Sequence, residues 1–286
     1  MKQERKQERK WVEIMGGRNE IESKYVKTWC PGCTNYALFR AYVSALDELI
    51  KEGKLRKAQI VQVCGIGCHG KVHDYTNLSS INALHGRVIP VMFGLKIARP
   101  ELKVIGISGD GDSYNEGVEH LVHAARYNID ATLIVHNNQV FSLTTGQHTA
   151  TTQQGFLSKS LRGAVMDEPL NPIKLMLSLD TSFVARCYAL EIEHTKQILK
   201  KAIMHKGFSF VEVLQPCLAF NDTREYIGKR IYKLDKDYNP SAFDQAWKVA
   251  SMWGYNFDER ARIPIGIFYI KEKPCFEEKY GIFEKK

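Results

Sequence analysis

The sequence predicts an α/β protein built around a doubly wound, mostly parallel sheet. Two observations support this fold class. Short apolar segments of strand length alternate with longer segments whose apolar residues recur at helical spacing. The chain is also large enough, at 286 residues and 44% apolar, to bury one large core. The strand-like segments are KAQIVQV (57–63), KVIGIS (103–108), ATLIVH (131–136), SFVARCY (182–188) and FSFVEVL (208–214).

The helical segments lie between these strands. Apolar residues at helical spacing predict one helix over 33–52 and another over 194–205. The apolar segment 81–98 predicts a further helix, with Pro90 near its first turns, where proline is tolerated. The segment 144–155 is polar and rich in threonine, which predicts a loop over the functional site.

The pattern changes at about Phe220, where a segment rich in charge and tyrosine begins. A helical segment over 241–254 and a strand-like segment over 263–270 follow it. We therefore expect three parts along the chain. They are a charged N-terminal tail (1–20), a main domain (21–220) and a C-terminal extension (221–286).

The N-terminal ten residues repeat KQER and mix Lys and Arg with Glu. This composition predicts a solvated tail or helix rather than a transit peptide. No apolar run approaches the length of a membrane span, and no signal peptide is visible. We expect a cytoplasmic protein with no membrane contact.

The net charge is +8, from 40 basic and 32 acidic residues. A basic surface attracts polyanions, so both an acidic protein partner and nucleic acid are possible classes of partner. The sequence contains no basic helix, zinc finger or RNA-binding aromatic pattern, and its positive residues are scattered through both ends. The charge therefore favours an acidic protein partner and argues against nucleic acid.

The segment from Gly109 to Val140 carries the clearest chemical signal. Gly-Asp-Gly follows one predicted strand and Asn-Asn follows the next, with a helical stretch between them. Parallel strands end at the same edge of a sheet, so Asp110 and Asn138 can meet there. Carboxylate and amide oxygens are the donors that Mg²⁺ takes beside phosphate oxygens. Gly109 and Gly111 allow close backbone approach, and the N–H groups that open the next helix favour an anion. The alternative interpretation of this pattern is a turn and a capped helix followed by a polar loop, without a ligand; the paired motifs at this spacing disfavour it.

The seven cysteines indicate a second site. No secretory leader is visible, so disulfides are not expected, and metal binding or catalysis becomes the favoured use of the cysteines. Four of them lie beside Gly or Pro in probable loops, where a loop can wrap an inorganic ligand: Cys30, Cys33, Cys68 and Cys217. Such a set could hold Zn²⁺ or a 4Fe–4S cluster. The cluster is favoured because a zinc ribbon usually has a second close CxxC pair, although unligated cysteines are also possible. Cys64 and Cys187 are predicted to be small buried hydrophobes, and Cys275 has no assigned role.

Taken together, these segments resemble the thiamine diphosphate-binding β subunit of 2-oxoacid:ferredoxin oxidoreductases. The matching motifs follow the family's order over about residues 25–220. They are WCPGC ending at Cys33, GIGCHGK ending at Lys71, LHGR at 84–87, GDGD at 109–112, HNNQVFSLTTGQ at 136–147 and LQPC ending at Cys217. The later segment GIFYIKEKPCFEE matches the family's C-terminal stretch more loosely.

The resemblance implies a thiamine diphosphate-type fold with a C-terminal extension, and a specific set of site residues. One 4Fe–4S cluster would be ligated by Cys30, Cys33, Cys68 and Cys217. Mg²⁺ would be held by Asp110, Asn138 and the backbone carbonyl of Val140. The diphosphate site would include Gly70, His85, Gly109, Gly111, Asp112 and Asn137. Lys71 would face the substrate carboxylate, where an ammonium group pairs well with an anion.

It also implies an activity. Thiamine diphosphate would act as electron sink in the oxidative decarboxylation of a 2-oxoacid such as pyruvate or 2-oxoglutarate. The acyl group would go to coenzyme A, and electrons would pass through the cluster to ferredoxin. In this family, the glutamate that activates the cofactor comes from the α subunit. The α subunit is accompanied by a γ part that is either fused to it or separate. We therefore expect this chain to be active only with its α subunit.

Two positions depart from the family pattern: His69 stands where many relatives have a small residue, and Thr145 where the residue is often basic. Neither position is a metal ligand. Two other functions are compatible with the motifs. One is a non-redox thiamine diphosphate-dependent decarboxylase or carboligase with structural zinc. The other is a non-catalytic metal-binding scaffold of a larger complex.

Overall fold

A computed structural model describes residues 20–158, 163–234 and 237–282. Their centre is an eight-stranded sheet in the order β2-β1-β3-β4-β8-β7-β10-β9. Its strands are β1 Ile60–Cys64, β2 Ser79–Asn82, β3 Lys103–Gly109, β4 Ala131–Asn137, β7 Phe183–Tyr188, β8 Ser209–Leu214, β9 Ile231–Lys233 and β10 Ile263–Ile270. A separate short ribbon consists of β5 Val140–Phe141 and β6 Gln147–His148. All neighbouring pairs of the main sheet are parallel except β7 with β10, which are antiparallel. The predicted doubly wound, mostly parallel α/β class is confirmed.

Helices cover both faces of the sheet. They are α1 Asn35–Lys51, α2 Val72–Tyr75, α3 Val88–Ala98, α4 Val118–Tyr127, α5 Pro172–Ser178, α6 Ile192–Met204, α7 Arg224–Gly228, α8 Phe243–Ala250 and α9 Phe276–Lys279. One apolar cluster joins α1 and α6 to the sheet, and a second joins α3, α4, α5 and α8 to it. Strands such as β3 and β4 are buried along nearly their whole length because both faces are covered.

Four neighbouring parallel strands, β1, β3, β4 and β8, end at one edge of the sheet. The chain leaves β1 toward Cys68, β3 toward Asp110, β4 toward Asn138 and β8 toward Cys217. Carboxyl edges of parallel strands are where ligands bind in open α/β sheets. The topology therefore gathers the predicted functional segments at one edge.

The helix predicted over 81–98 is shorter than expected. Its first part forms β2, in which Ile81 pairs with Val63 of β1, and α3 begins only at Val88. Gly86 lies in the intervening loop with φ +73°, a left-handed conformation that interrupts a helix. Pro90 then falls in the first turn of α3, where its missing N–H costs nothing.

The C-terminal segment continues the main sheet through β9 and β10. Phe268 of β10 belongs to the same apolar cluster as Phe210 of β8. The C-terminal extension predicted from residue 221 therefore packs on the core of the main domain. The predicted charged tail lies outside the described residues except for Glu20. Among the helices described, none is both long and apolar enough to cross a membrane.

Candidate active site

A cavity of about 570 Å³ opens at the carboxyl edge formed by β1, β3 and β4. Cavities of a few hundred Å³ are typical of small-molecule and cofactor sites. Its walls include Cys68, His69, His85, Gly109, Asp110, Gly111, Asp112, His136, Asn138, Val140, Phe141, Ser142 and Gln215. Most of the residues predicted to bind the diphosphate and Mg²⁺ thus line this one cavity.

Asp110 follows β3 and is the most strongly perturbed acidic group of the cavity. Its side chain is buried, and Oδ2 accepts a 2.7 Å hydrogen bond from Thr149 Oγ1. Burial raises the pKa of this carboxyl to about 7. Backbone N–H groups of Asp110, Gly111 and Asn138 also donate to it, and a bound cation would balance the charge of the buried carboxylate.

Asn138 follows β4, and its backbone N–H donates a hydrogen bond to the Asp110 carboxylate. Its Oδ1 accepts a hydrogen bond from the Val140 backbone N–H at 3.2 Å, which leaves a lone pair for a metal ion. Its Nδ2 donates to Ser142 Oγ at 3.2 Å and to Gln215 Oε1 at 3.1 Å. These contacts hold the amide in one orientation. The residues present therefore fit Mg²⁺, with Asp110, Asn138 and Val140 all on the cavity wall.

The threonine-rich segment predicted as a loop over the site contains buried threonines. Thr149, Thr151 and Thr152 are all at most 3% exposed. Thr151 donates to Asn137 Oδ1 at 2.9 Å, and Thr149 reaches Asp110. Sequence reasoning missed this support because a polar composition is typical of an exposed loop, whereas here these hydroxyls find buried partners.

Gly109 and Gly111 are required by the packing of the site itself. A Cβ at Gly111 would lie 2.2 Å from the Phe141 ring, and one at Gly109 would lie 2.7 Å from the His69 ring. The glycines were predicted for close backbone approach to a ligand. In the structure they also admit two side chains of the cavity wall.

Asp112 binds groups from three parts of the chain. Its carboxylate accepts hydrogen bonds from the Gly86 backbone N–H at 2.6 Å and from Ser108 Oγ at 2.7 Å. His69 Nε2 lies 3.3 Å from the same carboxylate. Burial alone would raise the pKa of Asp112, but the contact with His69 and these hydrogen bonds outweigh it and hold the pKa below its ordinary value. Asp112 therefore organises the cavity wall.

Asn137 does not line the cavity, contrary to the expectation from the sequence. Its Nδ2 donates to Glu212 Oε1 at 2.8 Å, and its Oδ1 accepts from the Gln139 backbone N–H at 3.0 Å. Side chains alternate between the faces of a strand, so neighbouring His136 points to the opposite face, where Nδ1 meets Asn35 Oδ1 at 2.8 Å. Burial holds the pKa of His136 well below its ordinary value.

A fully buried ion pair lies behind Asn137. Arg186 of β7 and Glu212 of β8 are paired strand neighbours, and Nε donates to Oε2 at 2.8 Å. Both side chains are 0% exposed. Tyr255, from the C-terminal segment, donates to the same Glu212 carboxylate, and its backbone carbonyl accepts from Gln139. The C-terminal segment thus supports the Asn137–Val140 turn.

Three further predicted residues occupy different positions around the cavity. His85 lies on its wall, with a ring centroid 5.8 Å from that of Phe141. Gly70 is outside the wall, and a Cβ there would be 2.1 Å from the carbonyl oxygen of Gly65. Lys71 is outside the wall, and its Nζ donates to the Thr28 carbonyl at 3.0 Å.

The four loop cysteines are all free thiols, and electrostatic influence links Cys68 to the other three. Burial raises the pKa of Cys33, and the nearby thiols of Cys68 and Cys217 raise it further. Burial likewise raises the pKa of Cys68, where proximity to Cys217 and Cys30 acts in the same direction and Lys71 in the opposite one. Two sulfurs also accept hydrogen bonds, Cys33 from Asn35 Nδ2 at 3.6 Å and Cys68 from Ser142 Oγ at 3.4 Å.

The geometry of this group bears on which inorganic ligand fits it. Within the described residues, no three His, Cys, Asp or Glu side chains are close enough to bind one metal ion. Tetrahedral zinc at about 2.3 Å from each sulfur would need a tight set. A four-iron cluster spaces its thiolates more widely. As placed among the described residues, the four thiols therefore do not form a site for a single metal ion.

The remaining cysteines have the surroundings predicted for small buried hydrophobes. Cys64 and Cys187 are 0% exposed. Burial raises the pKa of Cys64 to about 12 and raises that of Cys187 as well. Cys275, to which no role was assigned, is also buried, and burial raises its pKa to about 12.

Comparison with known proteins gives consistent matches over most of the chain. Residues 65–213 match the family described as thiamine pyrophosphate enzyme, C-terminal TPP binding domain. Residues 217–285 match the family described as the C terminal of the pyruvate ferredoxin oxidoreductase beta subunit.

Individual relatives give the same result. A 2-oxoacid:ferredoxin oxidoreductase subunit beta of Saccharolobus solfataricus is 43% identical over 255 residues, 85% of this chain and 82% of the relative. A 2-oxoglutarate synthase subunit of Methanocaldococcus jannaschii is 32% identical over 90% of this chain and 93% of its own. The solved 2-oxoglutarate:ferredoxin oxidoreductase from Magnetococcus marinus, with 2-oxoglutarate, coenzyme A and succinyl-CoA bound, is similar with a TM-score of 0.86. It is 25% identical, and the match covers 93% of this chain and 88% of that one.

Proposed function

This chain belongs to the family of β subunits of 2-oxoacid:ferredoxin oxidoreductases, and from that premise we propose a ligand for each of its two sites. Thiamine diphosphate with Mg²⁺ occupies the cavity, and one 4Fe–4S cluster occupies the group of four cysteines. The family, the fold and the enzyme class expected from the sequence are confirmed by the comparisons.

When bound, thiamine diphosphate supplies an electron sink for decarboxylation of a 2-oxoacid, and the cluster supplies a one-electron acceptor. The residues of this chain hold and orient these groups. Asp110, Asn138 and the Val140 carbonyl hold Mg²⁺. The raised pKa of buried Asp110 and the fixed Asn138 amide support this assignment.

The diphosphate is bound by groups around the same wall. Gly109, Gly111 and His85 face it directly from the wall. Asp112 acts by holding the Gly86 backbone and the His69 ring in place, since its own oxygens already accept hydrogen bonds. Gly70 and Asn137 support the wall from outside it. A fixed polar wall stabilises charge without rearranging when the reaction occurs.

One observation carries the redox part of the proposal: Cys68, a member of the cysteine group, lines the same cavity as Asp110 and Asn138. An electron acceptor held by Cys30, Cys33, Cys68 and Cys217 would therefore adjoin the cofactor. A zinc-containing, non-redox enzyme would have no need of this adjacency.

Partners follow from the same proposal. The chain is a β subunit of a multi-subunit oxidoreductase. We propose that the cofactor site is completed by the α subunit, that coenzyme A accepts the acyl group, and that ferredoxin receives the electrons. The net charge of +8 would speed the encounter with an acidic ferredoxin and would make its rate fall with added salt. The C-terminal segment is the proposed contact with the α subunit.

Metal analysis and electron paramagnetic resonance of the complex with its α subunit, purified without oxygen, test this function. We expect about four iron and four sulfide per chain. We also expect a reduced-cluster signal after dithionite and the same signal after addition of 2-oxoacid. Cys68→Ser should lose the signal, while Cys275→Ser, which changes a buried cysteine outside the group, should keep it. Zinc without a signal would contradict the redox function and leave a non-redox thiamine enzyme.

We further propose that Lys71 binds the substrate carboxylate. Its ammonium lies close enough to Cys68 to lower the pKa of that thiol, and Cys68 lines the cavity. A solvent-exposed hydrogen bond to the Thr28 carbonyl holds the ammonium in this position. Lys71→Met should raise KM for the 2-oxoacid about 10- to 100-fold with little change in kcat, because one charge-assisted hydrogen bond is lost.

Steady-state kinetics of the complex measure this effect, and Lys71→Arg should restore part of the affinity. Lys229→Met is a control, since Lys229 is an exposed lysine that pairs with Glu225 of α7. An unchanged KM in Lys71→Met would contradict the substrate role.

A further inference from the structure

Ser142 stands between the two proposed sites. Its Oγ lies 3.4 Å from the sulfur of Cys68 and 3.2 Å from Nδ2 of Asn138. One side chain thus contacts a residue of the cysteine group and a residue of the Mg²⁺ site. Ser142 itself belongs to neither proposed set of ligands.

The direction of these hydrogen bonds follows from the chemistry of the groups. The backbone N–H of Val140 can only donate, so the Asn138 atom that faces it is the oxygen. Nδ2 is therefore the atom that faces Ser142, and it donates to the hydroxyl. The single hydroxyl hydrogen is left for the Cys68 sulfur. The chain of hydrogen bonds runs from the Asn138 amide through Ser142 to Cys68.

The loop that carries Ser142 is held at both ends. β5 pairs with β6 in the short antiparallel ribbon. The Gly146 backbone N–H donates to the Phe141 carbonyl at 3.0 Å and closes the turn. Since the loop is fixed, the hydroxyl is preorganised toward the sulfur, and little entropy is lost in making the contact.

We propose that Ser142 is a positioning residue that tunes the cluster and links it to the Mg²⁺ site; this inference rests on the proposed function. Reduction adds one electron to the cluster and makes its sulfur ligands more negative. A hydrogen bond to a ligand sulfur stabilises that state more than the oxidised one, so it raises the midpoint potential. A cation on Asn138 Oδ1 polarises the amide and strengthens the chain of hydrogen bonds toward Cys68.

The test is a redox titration of the anaerobic complex with its α subunit, followed by electron paramagnetic resonance, with iron and sulfide measured on the same samples. Ser142→Ala should keep its iron and sulfide and shift the midpoint potential to a more negative value. The expected change is about tenfold in the reduction equilibrium, which is about 59 mV for one electron. Adding Mg²⁺ and thiamine diphosphate should raise the potential less in this variant than in the wild-type complex.

Two further variants keep the result interpretable. Ser142→Thr retains a hydroxyl and should retain the wild-type potential. Ser80→Ala removes a serine hydroxyl that lies 4.0 Å from the sulfur of Cys64, outside the cysteine group, and should leave the potential unchanged. If Ser142→Ala assembles no cluster, Ser142→Thr must restore both iron and potential for the proposal to stand.

A wild-type potential in Ser142→Ala, with the cluster intact, overturns this inference and leaves the proposed function in place. Absence of iron from the wild-type complex instead overturns the proposed function itself. The metal content of the wild-type complex separates the two failures.

Discussion

Asp110→Asn should lower the affinity of the complex for Mg²⁺ and thiamine diphosphate by more than about 100-fold and abolish turnover at ordinary cofactor concentrations. Loss of a group that only supports a metal ligand already costs about 10- to 100-fold. Asp110 is the only carboxylate among the three proposed Mg²⁺ ligands, so its loss removes the negative charge of the set. The substitution preserves the size of the side chain and leaves Thr149 an acceptor.

Cofactor titration of the complex, by calorimetry or by a change in ellipticity, measures this effect. The chain should remain folded without cofactor, since a neutral amide does not carry the desolvation cost of a buried carboxylate. Glu119→Gln is a matched control, because Glu119 is a half-exposed acidic residue of α4 that pairs with Arg87 and His120 near the surface. Tight cofactor binding by Asp110→Asn would contradict the assignment of the metal site.

Arg186→Met should lower the free energy of unfolding by about 3–5 kcal/mol, because it leaves Glu212 as an unpaired charge in the interior. Three aromatic rings also lose a cationic partner. They are Trp253, Tyr255 and Phe268, whose ring centroids lie 5.0–5.4 Å from the guanidinium carbon. Methionine fills much of the same volume, so the loss arises mainly from charge rather than from a cavity.

Urea unfolding of the chain measures this loss. The double variant Arg186→Met with Glu212→Gln should recover most of it, since glutamine removes the unpaired charge and keeps an acceptor for Asn137. Arg224→Met is the matched control, because Arg224 forms its ion pair with Asp222 at the surface and should change stability little. Equal losses in the single and double variants would contradict the role of the buried charge.

Several features of the site could be predicted from the sequence because they depend on local order. The strand–helix–strand pattern from 103 to 137 places Asp110 and Asn138 at one sheet edge whatever the rest of the chain does. The positions of Gly109 and Gly111 follow from the same turn. The separation of the four loop cysteines from Cys64 and Cys187 likewise follows from neighbouring Gly and Pro or from apolar strand residues, whereas the burial of Cys275 was not predicted.

Other features depend on which strands become neighbours, and the sequence does not state this. Glu212 meets Arg186 because β8 lies beside β7, and Asn137 turns toward that pair instead of the cavity. The strands of the predicted C-terminal extension join the main sheet because β10 pairs with β7. The sequence of a short apolar strand does not identify its neighbour in the sheet, because backbone hydrogen bonding between strands is the same for any sequence.

The sequence by itself thus determined the family of this protein and the fold that brings its strand ends together, and it indicated the diphosphate motif and the cysteine group on which the proposals rest. Only the tertiary structure decided how these parts are supported and connected. Ser142 reaches Cys68 across 74 positions, and Thr149 reaches Asp110 across 39. A sequence motif consists of residues that are close in the chain. These hydrogen bonds instead join residues that are far apart in the chain, because the packed sheet brings their polar atoms within about 3 Å of each other.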